Sequence, residues 1–133
     1  MIGLDTGFFV ELLRNNQKAI KVWEGIIDGD DSAVSCLTLY ELEKLSLKGV
    51  MARDANDTLL EAIMAICKVV WLDQVEILKD AAHVSQSLGI HAMDSIILAS
   101  LASSNSKTIY TTDAHFEKYK KKGIGIILLA KNS

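Results

Sequence analysis

Four acidic residues stand directly behind segments that resemble buried strands, or at the start of helix-like segments. They are Asp5, Glu41, Asp94 and Asp113. Hard divalent cations such as Mg²⁺ or Mn²⁺ take several oxygen ligands, and carboxylates suit them because they are charged and compact. Four carboxylates gathered at one place repel one another, whereas helix caps have no need to converge. If the fold brings these acids together, they predict a binding site for a hard divalent cation.

Each acid also has a purely structural interpretation. Asp5, Asp94 and Asp113 could cap helices, or could favour the positive end of the helix dipole from the first turn. Glu41 fits a capping box with Thr38 in the pattern T-x-x-E. Taken singly, each acid is better explained as a cap. The metal-site prediction therefore depends on the four lying together.

The elements that must position the acids alternate along the chain. Strand-like segments are MIGLD, SAVSC, KVVWLD, TIYTT and GIGIILLA. The helix-like segments are FFVELLRN, KAIKVWEGIIDGDD closed by Gly29, TLYELEKLSLKG ending at Gly49, DANDTLLEAIMAIC, VEILKDAAHVSQSLG and MDSIILASLASS. This alternation predicts one α/β domain over residues 1–133, with a parallel sheet flanked by helices. In such folds reactive groups gather at the carboxyl ends of the strands.

Composition limits the classes of function. The chain has 133 residues, of which 50% are hydrophobic, and this predicts one domain with a substantial core. A net charge of −3 argues against broad electrostatic binding of nucleic acid, but it is compatible with a local basic patch. Asp5 and Glu11 interrupt the apolar region that a signal peptide needs, and no apolar run is long enough to span a membrane. Cys36 and Cys67 form no CxxC pair and are predicted to be buried, reduced thiols of a cytoplasmic protein.

Four short motifs carry a resemblance to a known family. They are L-D-T at 4–6, S-x-x-T-x-x-E-L at 35–42, M-D-S-I-I-L-A at 93–99 and T-x-D-x-x-F at 111–116. In this order and spacing, over nearly the whole length, the chain resembles PIN-domain nucleases, in particular the toxin half of VapBC-type toxin–antitoxin pairs. One departure is Leu45, which stands where many members have glycine and bears on local packing.

The resemblance implies an acidic metal site for RNA cleavage. The positions that match the family's acids and supporting hydroxyls are Asp5, Glu41, Asp94, Asp113, Thr6 and Thr111. The implied metal is Mg²⁺ or Mn²⁺, with the three aspartates as direct or water-mediated ligands and Glu41 as the residue that positions or deprotonates water. Thr111 is expected to orient Asp113. The resemblance also implies an RNA substrate, a homodimer and a small antitoxin that blocks the site.

Several other side chains have two possible roles. The basic run Lys118, Lys120, Lys121 and Lys122 is either a solvated helix end or a phosphate-steering patch beside the acids. Trp23, Trp71 and Tyr40 are expected in the core rather than as base-stacking platforms, and residues 59–66 as core rather than a partner groove. His83, His91 and His115 show no metal-ligand spacing and are expected to be ordinary surface or partly buried residues.

Other enzyme and binding classes lack their required residues. A haloacid-dehalogenase-type phosphatase needs a second aspartate two residues after the first, and Gly7 stands there. A receiver domain expects a lysine on a late strand, which GIGIILLA does not supply, and no GxxxxGK or GxGxxG is present. The remaining alternatives are a PIN-fold RNA-processing nuclease without an antitoxin and a non-cleaving PIN domain that binds RNA or protein.

Overall fold

A computed structural model describes residues 1–130, and its centre is a five-stranded parallel sheet. The strands are β1 Ile2–Leu4, β2 Ser32–Ser35, β3 Lys68–Val70, β4 Thr108–Thr111 and β5 Gly125–Leu128, arranged in the order β3-β2-β1-β4-β5. Leu4 pairs with Val34 on one side and with Tyr110 on the other, so the carboxyl ends of three strands share one edge. The predicted α/β fold with a parallel sheet is confirmed.

Six helices connect the strands, as the alternating pattern predicts. They are α1 Thr6–Leu13, α2 Gln17–Ile27, α3 Cys36–Leu47, α4 Arg53–Ile66, α5 Val75–Leu88 and α6 Ala92–Ser103, and a 3₁₀ turn at Ala114–Lys118 follows β4. The glycine stops are confirmed: Gly49 and Gly89 have φ of +78° and +68°, a region that glycine enters without steric cost. Within residues 1–130, no helix has both the length and the apolar character that crossing a membrane requires.

The sheet separates two hydrophobic cores. Val34 of β2 belongs to a core that includes Phe8 of α1 and Leu42 of α3. Its neighbour Ala33 belongs to a second core that includes Leu98 of α6. Consecutive strand residues point to opposite faces of a sheet, so the two cores lie on opposite sides of β2. Helices therefore cover both faces of the sheet, as expected for parallel strands.

The order of the strands creates a crevice at one edge of the sheet. From β1 the chain adds β2 and β3 on one side, and then returns to add β4 and β5 on the other. In open α/β sheets, ligands bind outside the carboxyl ends of the strands at such a reversal. Asp5 directly follows β1, and Asp113 lies two residues beyond β4. Both acids therefore stand at the reversal.

Two of the three aromatic predictions are wrong. Trp71 is 53% exposed because β3 ends at Val70, so the strand predicted over KVVWLD is too long. Tyr40 is 47% exposed because it lies two residues before the buried Leu42, on the opposite side of α3. Trp23 packs against Phe9 with ring centroids 5.7 Å apart, in agreement with the prediction.

Two further predictions about burial hold only in part. In residues 59–66, Leu59 and Ile63 join the core, whereas Met64 and Ile66 are exposed because they lie on the outer side of α4. Both cysteines are free thiols, as expected, and Cys67 is buried. Cys36 is only partly buried, so the prediction of burial is wrong for this residue. It is the first residue of α3, at the edge where the strands end.

Candidate active site

A cavity of about 270 Å³ opens at the carboxyl edge of the sheet, and all four acids line it. Asp5 comes from the end of β1, Glu41 from α3, Asp94 from the first turn of α6, and Asp113 from the segment after β4. Thr6 lines the same cavity. The structure thus brings together acids from four distant parts of the sequence. Their roles in catalysis and in metal binding stay predictions.

Asp5 is a helix cap and a site acid at once. Its Oδ1 accepts a hydrogen bond from the Phe8 backbone N–H at 2.9 Å, which caps α1. Its Oδ2 accepts one from the Thr111 hydroxyl at 2.5 Å. The pKa of Asp5 is raised from 3.8 to about 6, mainly by burial and to a lesser extent by the charges of Asp94 and Asp113, although these two hydrogen bonds lower it. A buried carboxylate therefore sits in a field of like charges.

Thr111 connects two of the acids. The hydroxyl that donates to Asp5 also accepts a hydrogen bond from the Asp113 backbone N–H at 2.9 Å. Thr111 is fully buried at the end of β4, which fixes its hydroxyl in this position. The prediction that Thr111 orients Asp113 therefore needs correction. Thr111 holds the backbone of Asp113, and the carboxylate that it orients is that of Asp5.

Thr6 has the corresponding role for Glu41. The Thr6 hydroxyl donates to Glu41 Oε1 at 2.5 Å and lies 3.2 Å from the Thr38 hydroxyl. The capping box predicted for Thr38 and Glu41 is wrong because α3 begins three residues earlier than the box requires. Its cap is Ser35, whose hydroxyl accepts from the Leu37 backbone N–H at 3.2 Å. Glu41 thus lies beyond the first turn, and its side chain bonds to Thr6.

Asp94 is a first-turn acid of α6 without a capping role. The cap position belongs to His91, which makes no side-chain cap bond. Burial raises the pKa of Asp94, and the charges of Asp113 and Glu41 raise it further, whereas His91 and His115 act in the opposite direction. These interactions link the half-buried Asp94 to its neighbours in the cavity. Its carboxylate is the site acid with the fewest protein partners among residues 1–130.

Asp113 caps the 3₁₀ turn and also faces the cavity. Its Oδ1 accepts from the His115 backbone N–H at 2.9 Å and lies 2.8 Å from the His115 ring Nδ1. From the sequence His115 was expected to be an ordinary surface or partly buried residue, yet its exposed ring contacts one of the acids. A local spacing of two residues, the usual reach of an aspartate turn, is the signal that could have shown this.

The cavity contains other residues that the sequence did not single out. Lys44 and Lys48 line it from the same side of α3 as Glu41. Gly7 and Thr112 approach each other closely at its wall: a Cβ on Gly7 would lie 2.0 Å from the Thr112 hydroxyl oxygen. Glycine is therefore required there by close approach rather than by its backbone angles. The spacing of the two lysines from Glu41, three and seven residues, could have placed them on its helix face.

The basic run lies away from the acids. Lys121 and Lys122 line a cavity with Lys107, which directly precedes β4 and accepts a backbone hydrogen bond from Gly125 at the start of β5. This is the amino end of β4, about 13 Å along the strand from its carboxyl end. Of the two roles open for the basic run, this position favours a solvated surface over a phosphate-steering patch beside the acids for these lysines. Lys120 lines a neighbouring cavity together with Gly125 at the start of β5.

The donor set fits a hard divalent cation that keeps part of its water shell. The acids supply oxygen ligands only, which suits Mg²⁺ or Mn²⁺. In the part of the chain that the structure describes, no three acidic, histidine or cysteine side chains are close enough to bind one ion together. An ion in this cavity would therefore reach some of the carboxylates through water, as Mg²⁺ commonly does.

Comparison with known proteins agrees with this fold. The model of the PIN domain family matches residues 2–122. The chain therefore belongs to the PIN domain family, whose members are nucleases and generally use divalent metal ions. A comparison of the sequence with curated proteins finds no match.

Three solved structures illustrate the likeness of fold. A toxin–antitoxin complex from Klebsiella pneumoniae has a TM-score of 0.75 and 15% identity, covering 99% of this chain and 100% of that chain. VapBC2 from Rickettsia felis, bound to a promoter DNA fragment, has a TM-score of 0.74 and 14% identity, covering 98% and 100%. DNA-bound VapBC from Salmonella typhimurium has a TM-score of 0.72 and 20% identity, covering 95% and 96%. At these identities the likeness concerns the fold.

Proposed function

We propose that this protein is a metal-dependent endoribonuclease, the toxin of a VapBC-type toxin–antitoxin pair. The observation that carries the proposal is the cavity at the strand reversal, lined by Asp5, Glu41, Asp94 and Asp113. Hydroxyl groups fix two of these carboxylates. Membership of a nuclease family supports phosphodiester hydrolysis. The choice of RNA rests on the four motifs shared with VapC-type toxins.

The three aspartates bind the cation in this proposal, directly or through water. Mg²⁺ or Mn²⁺ held by Asp5, Asp94 and Asp113 would stabilise negative charge on the phosphate during hydrolysis. Thr111 keeps Asp5 in position by its 2.5 Å hydrogen bond, while the backbone bond from Asp113 holds the third aspartate nearby. Asp94, with few protein partners, can turn towards the ion.

Glu41 is the base that accepts a proton from the attacking water in this proposal. Thr6 occupies Glu41 Oε1, which leaves Oε2 to accept a hydrogen bond from water. The water attacks phosphorus and transfers a proton to this carboxylate, while the bond from phosphorus to the leaving ribose oxygen breaks. The leaving oxygen takes a proton from solvent. No covalent intermediate with the protein is needed.

The kind of complex that shares the fold supports a protein partner for this chain. The similar solved structures are toxin–antitoxin complexes by name, two of them bound to DNA. We accordingly propose a small antitoxin that covers the acidic cavity, a homodimer of this chain, and a cytoplasmic location. The alternatives are a PIN-fold RNA-processing nuclease without an antitoxin, and a PIN domain that binds RNA or protein without cutting. The complete set of acids favours an enzyme over the non-cleaving domain.

An RNA-cleavage assay tests the activity. The protein should cut single-stranded or looped RNA with Mg²⁺ or Mn²⁺, and should be inactive in EDTA. Asp94→Asn should lower the rate at least about a hundredfold, since metal stabilisation of the transition state contributes several kcal/mol. Asp57→Asn, which neutralises an exposed acid of α4, is the charge-matched control and should cut at the wild-type rate. Full activity in EDTA, or in Asp94→Asn with an unchanged circular-dichroism spectrum, would refute the proposal.

A further inference from the structure

The acidic cavity has a basic wall, formed by one lysine of α3 and by the lysine that caps its end. Lys44 and Lys48 line the cavity together with Glu41. They follow Glu41 by three and seven residues, so all three side chains lie on one face of the helix. At a rise of about 1.5 Å per residue, the two lysines are spaced about 6 Å apart along the helix axis. Two exposed positive charges therefore lie along one side of the cavity.

Neither ammonium group is paired with the acids. Among residues 1–130 the one ion pair of a lysine or arginine with an acid within 4.0 Å is Arg14 with Glu11, and the His115 ring contacts Asp113. The Lys44 Nζ instead lies 5.9 Å from the centre of the Tyr40 ring, one turn earlier on α3. A lysine that served only to offset the acids would gain most by direct contact with one of them. Both lysines thus keep their hydrogen-bond donors for another group.

The charge of the cavity indicates that the group bound by the two lysines is an anion. Four carboxylates alone would repel an anionic substrate. The two lysines reduce the formal charge of the lining from −4 to −2, and one divalent cation would bring it to zero. The lysines make no ion pair with the carboxylates within 4.0 Å among residues 1–130, so they can attract an anion while the carboxylates stay available to the cation. An anionic chain that passes the cavity mouth would meet them.

We infer that Lys44 and Lys48 bind phosphates of the RNA backbone next to the scissile bond. The inference rests on the proposed nuclease function and adds residues for holding the substrate. Lysine binds phosphate as a point charge without reading bases, so these contacts contribute affinity and register but no sequence preference. They take the role that the sequence suggested for the basic run at residues 118–122, most of which lies at the other end of the sheet.

Salt-dependent RNA binding tests this assignment. Fluorescence anisotropy in EDTA, where no cleavage is expected, measures affinity for a labelled single-stranded RNA at several salt concentrations. Each phosphate contact to a single strand contributes about 0.7 to the slope of log K against log salt. The double variant Lys44→Gln/Lys48→Gln should lose about 1.4 of this slope, and roughly 25-fold in affinity near ~0.1 M salt. In Mg²⁺ its KM should rise more than its kcat falls.

The matched control is Lys121→Gln/Lys122→Gln, which removes the same charge at the opposite end of β4. It should keep the wild-type slope. An unchanged slope in Lys44→Gln/Lys48→Gln, or an equal loss in the control, would overturn the inference. A wild type that cleaves RNA while the Lys44/Lys48 variant keeps its KM would refute the inference alone. A wild type that neither binds nor cleaves RNA would refute the proposed function, and the inference with it.

Discussion

The buried carboxylate of Asp5 makes the stability of the metal-free protein depend on pH in a direction opposite to that of most paired acids. Burial raises its pKa from 3.8 to about 6. Between pH 3.8 and pH ~6, Asp5 is therefore protonated in the folded protein but has lost its proton in the unfolded chain. Stability must then fall as pH rises through this window, and the full cost is present above pH ~6. The shift corresponds to about 3 kcal/mol.

Asp5→Asn removes this cost while keeping most of the local structure. Asparagine is a good helix cap, so its side-chain oxygen can still accept from the Phe8 N–H. The Thr111 hydroxyl would have to turn, which costs a similar amount at every pH. The free energy of unfolding of the variant minus that of wild type should therefore increase by about 2 kcal/mol from pH ~4.5 to pH ~8. This figure corresponds to the interval between pH ~4.5 and the pKa of about 6 in the folded protein.

Urea denaturation in EDTA at the two pH values measures this difference. Asp57→Asn, at an exposed position on α4, gives the charge-matched control, and its difference from wild type should not change with pH in this way. A relative stability of Asp5→Asn that stays constant from pH ~4.5 to pH ~8 would refute the description of Asp5 as a buried acid held among like charges.

Three further predictions concern the same cavity. Thr111→Val should lower the free energy of unfolding by about 1–3 kcal/mol in urea denaturation, because the buried Asp5 carboxylate loses its 2.5 Å hydrogen bond; Thr111→Ser should restore most of it. Gly7→Ala should destabilise the protein through contact with the Thr112 hydroxyl, and Gly7→Ala/Thr112→Ala should be less destabilised than the sum of the single changes in a double-mutant cycle. The RNA-cleavage rate should fall as pH drops below about 6, where Asp5 takes up a proton. Because proton and metal compete for this carboxylate, the midpoint of the rate profile should move to lower pH with more Mn²⁺. A midpoint that stays in place would contradict this competition.

Much of the fold could be predicted because strand and helix signals alternate clearly along this chain. Strands such as SAVSC stand between helices that end at glycines, and Gly49 and Gly89 do end theirs with positive φ. Exposure was harder to predict. Tyr40 and Trp71 are aromatic, but which side of α3 faces the core and where β3 ends depend on tertiary packing.

The acids of the candidate site could be picked out, but the contacts among them could not. Their positions after strands predict one edge of the sheet, and the choice of these four over other acids needed the motif resemblance. That Thr111 bonds to Asp5, more than a hundred residues away, depends on the pairing of β1 with β4, which no local pattern reveals. The role of the basic run could not be decided for the same reason: it is near Asp113 in sequence, yet the chain carries Lys120, Lys121 and Lys122 to the start of β5.

Calorimetric titration with Mn²⁺ tests most directly whether the acids form one metal site. Wild type should bind the ion and, at a hundredfold excess over the dissociation constant, gain about 2.7 kcal/mol of stability. Asp94→Asn should bind much more weakly, although its metal-free melting temperature should be unchanged or higher because one like charge is gone from beside Asp113 and Glu41. The variant Asp94→Ala, measured in parallel, separates the effect of removing the charge from any role of Asp94 at the start of α6. Equal Mn²⁺ affinity in wild type and Asp94→Asn would contradict a shared metal site.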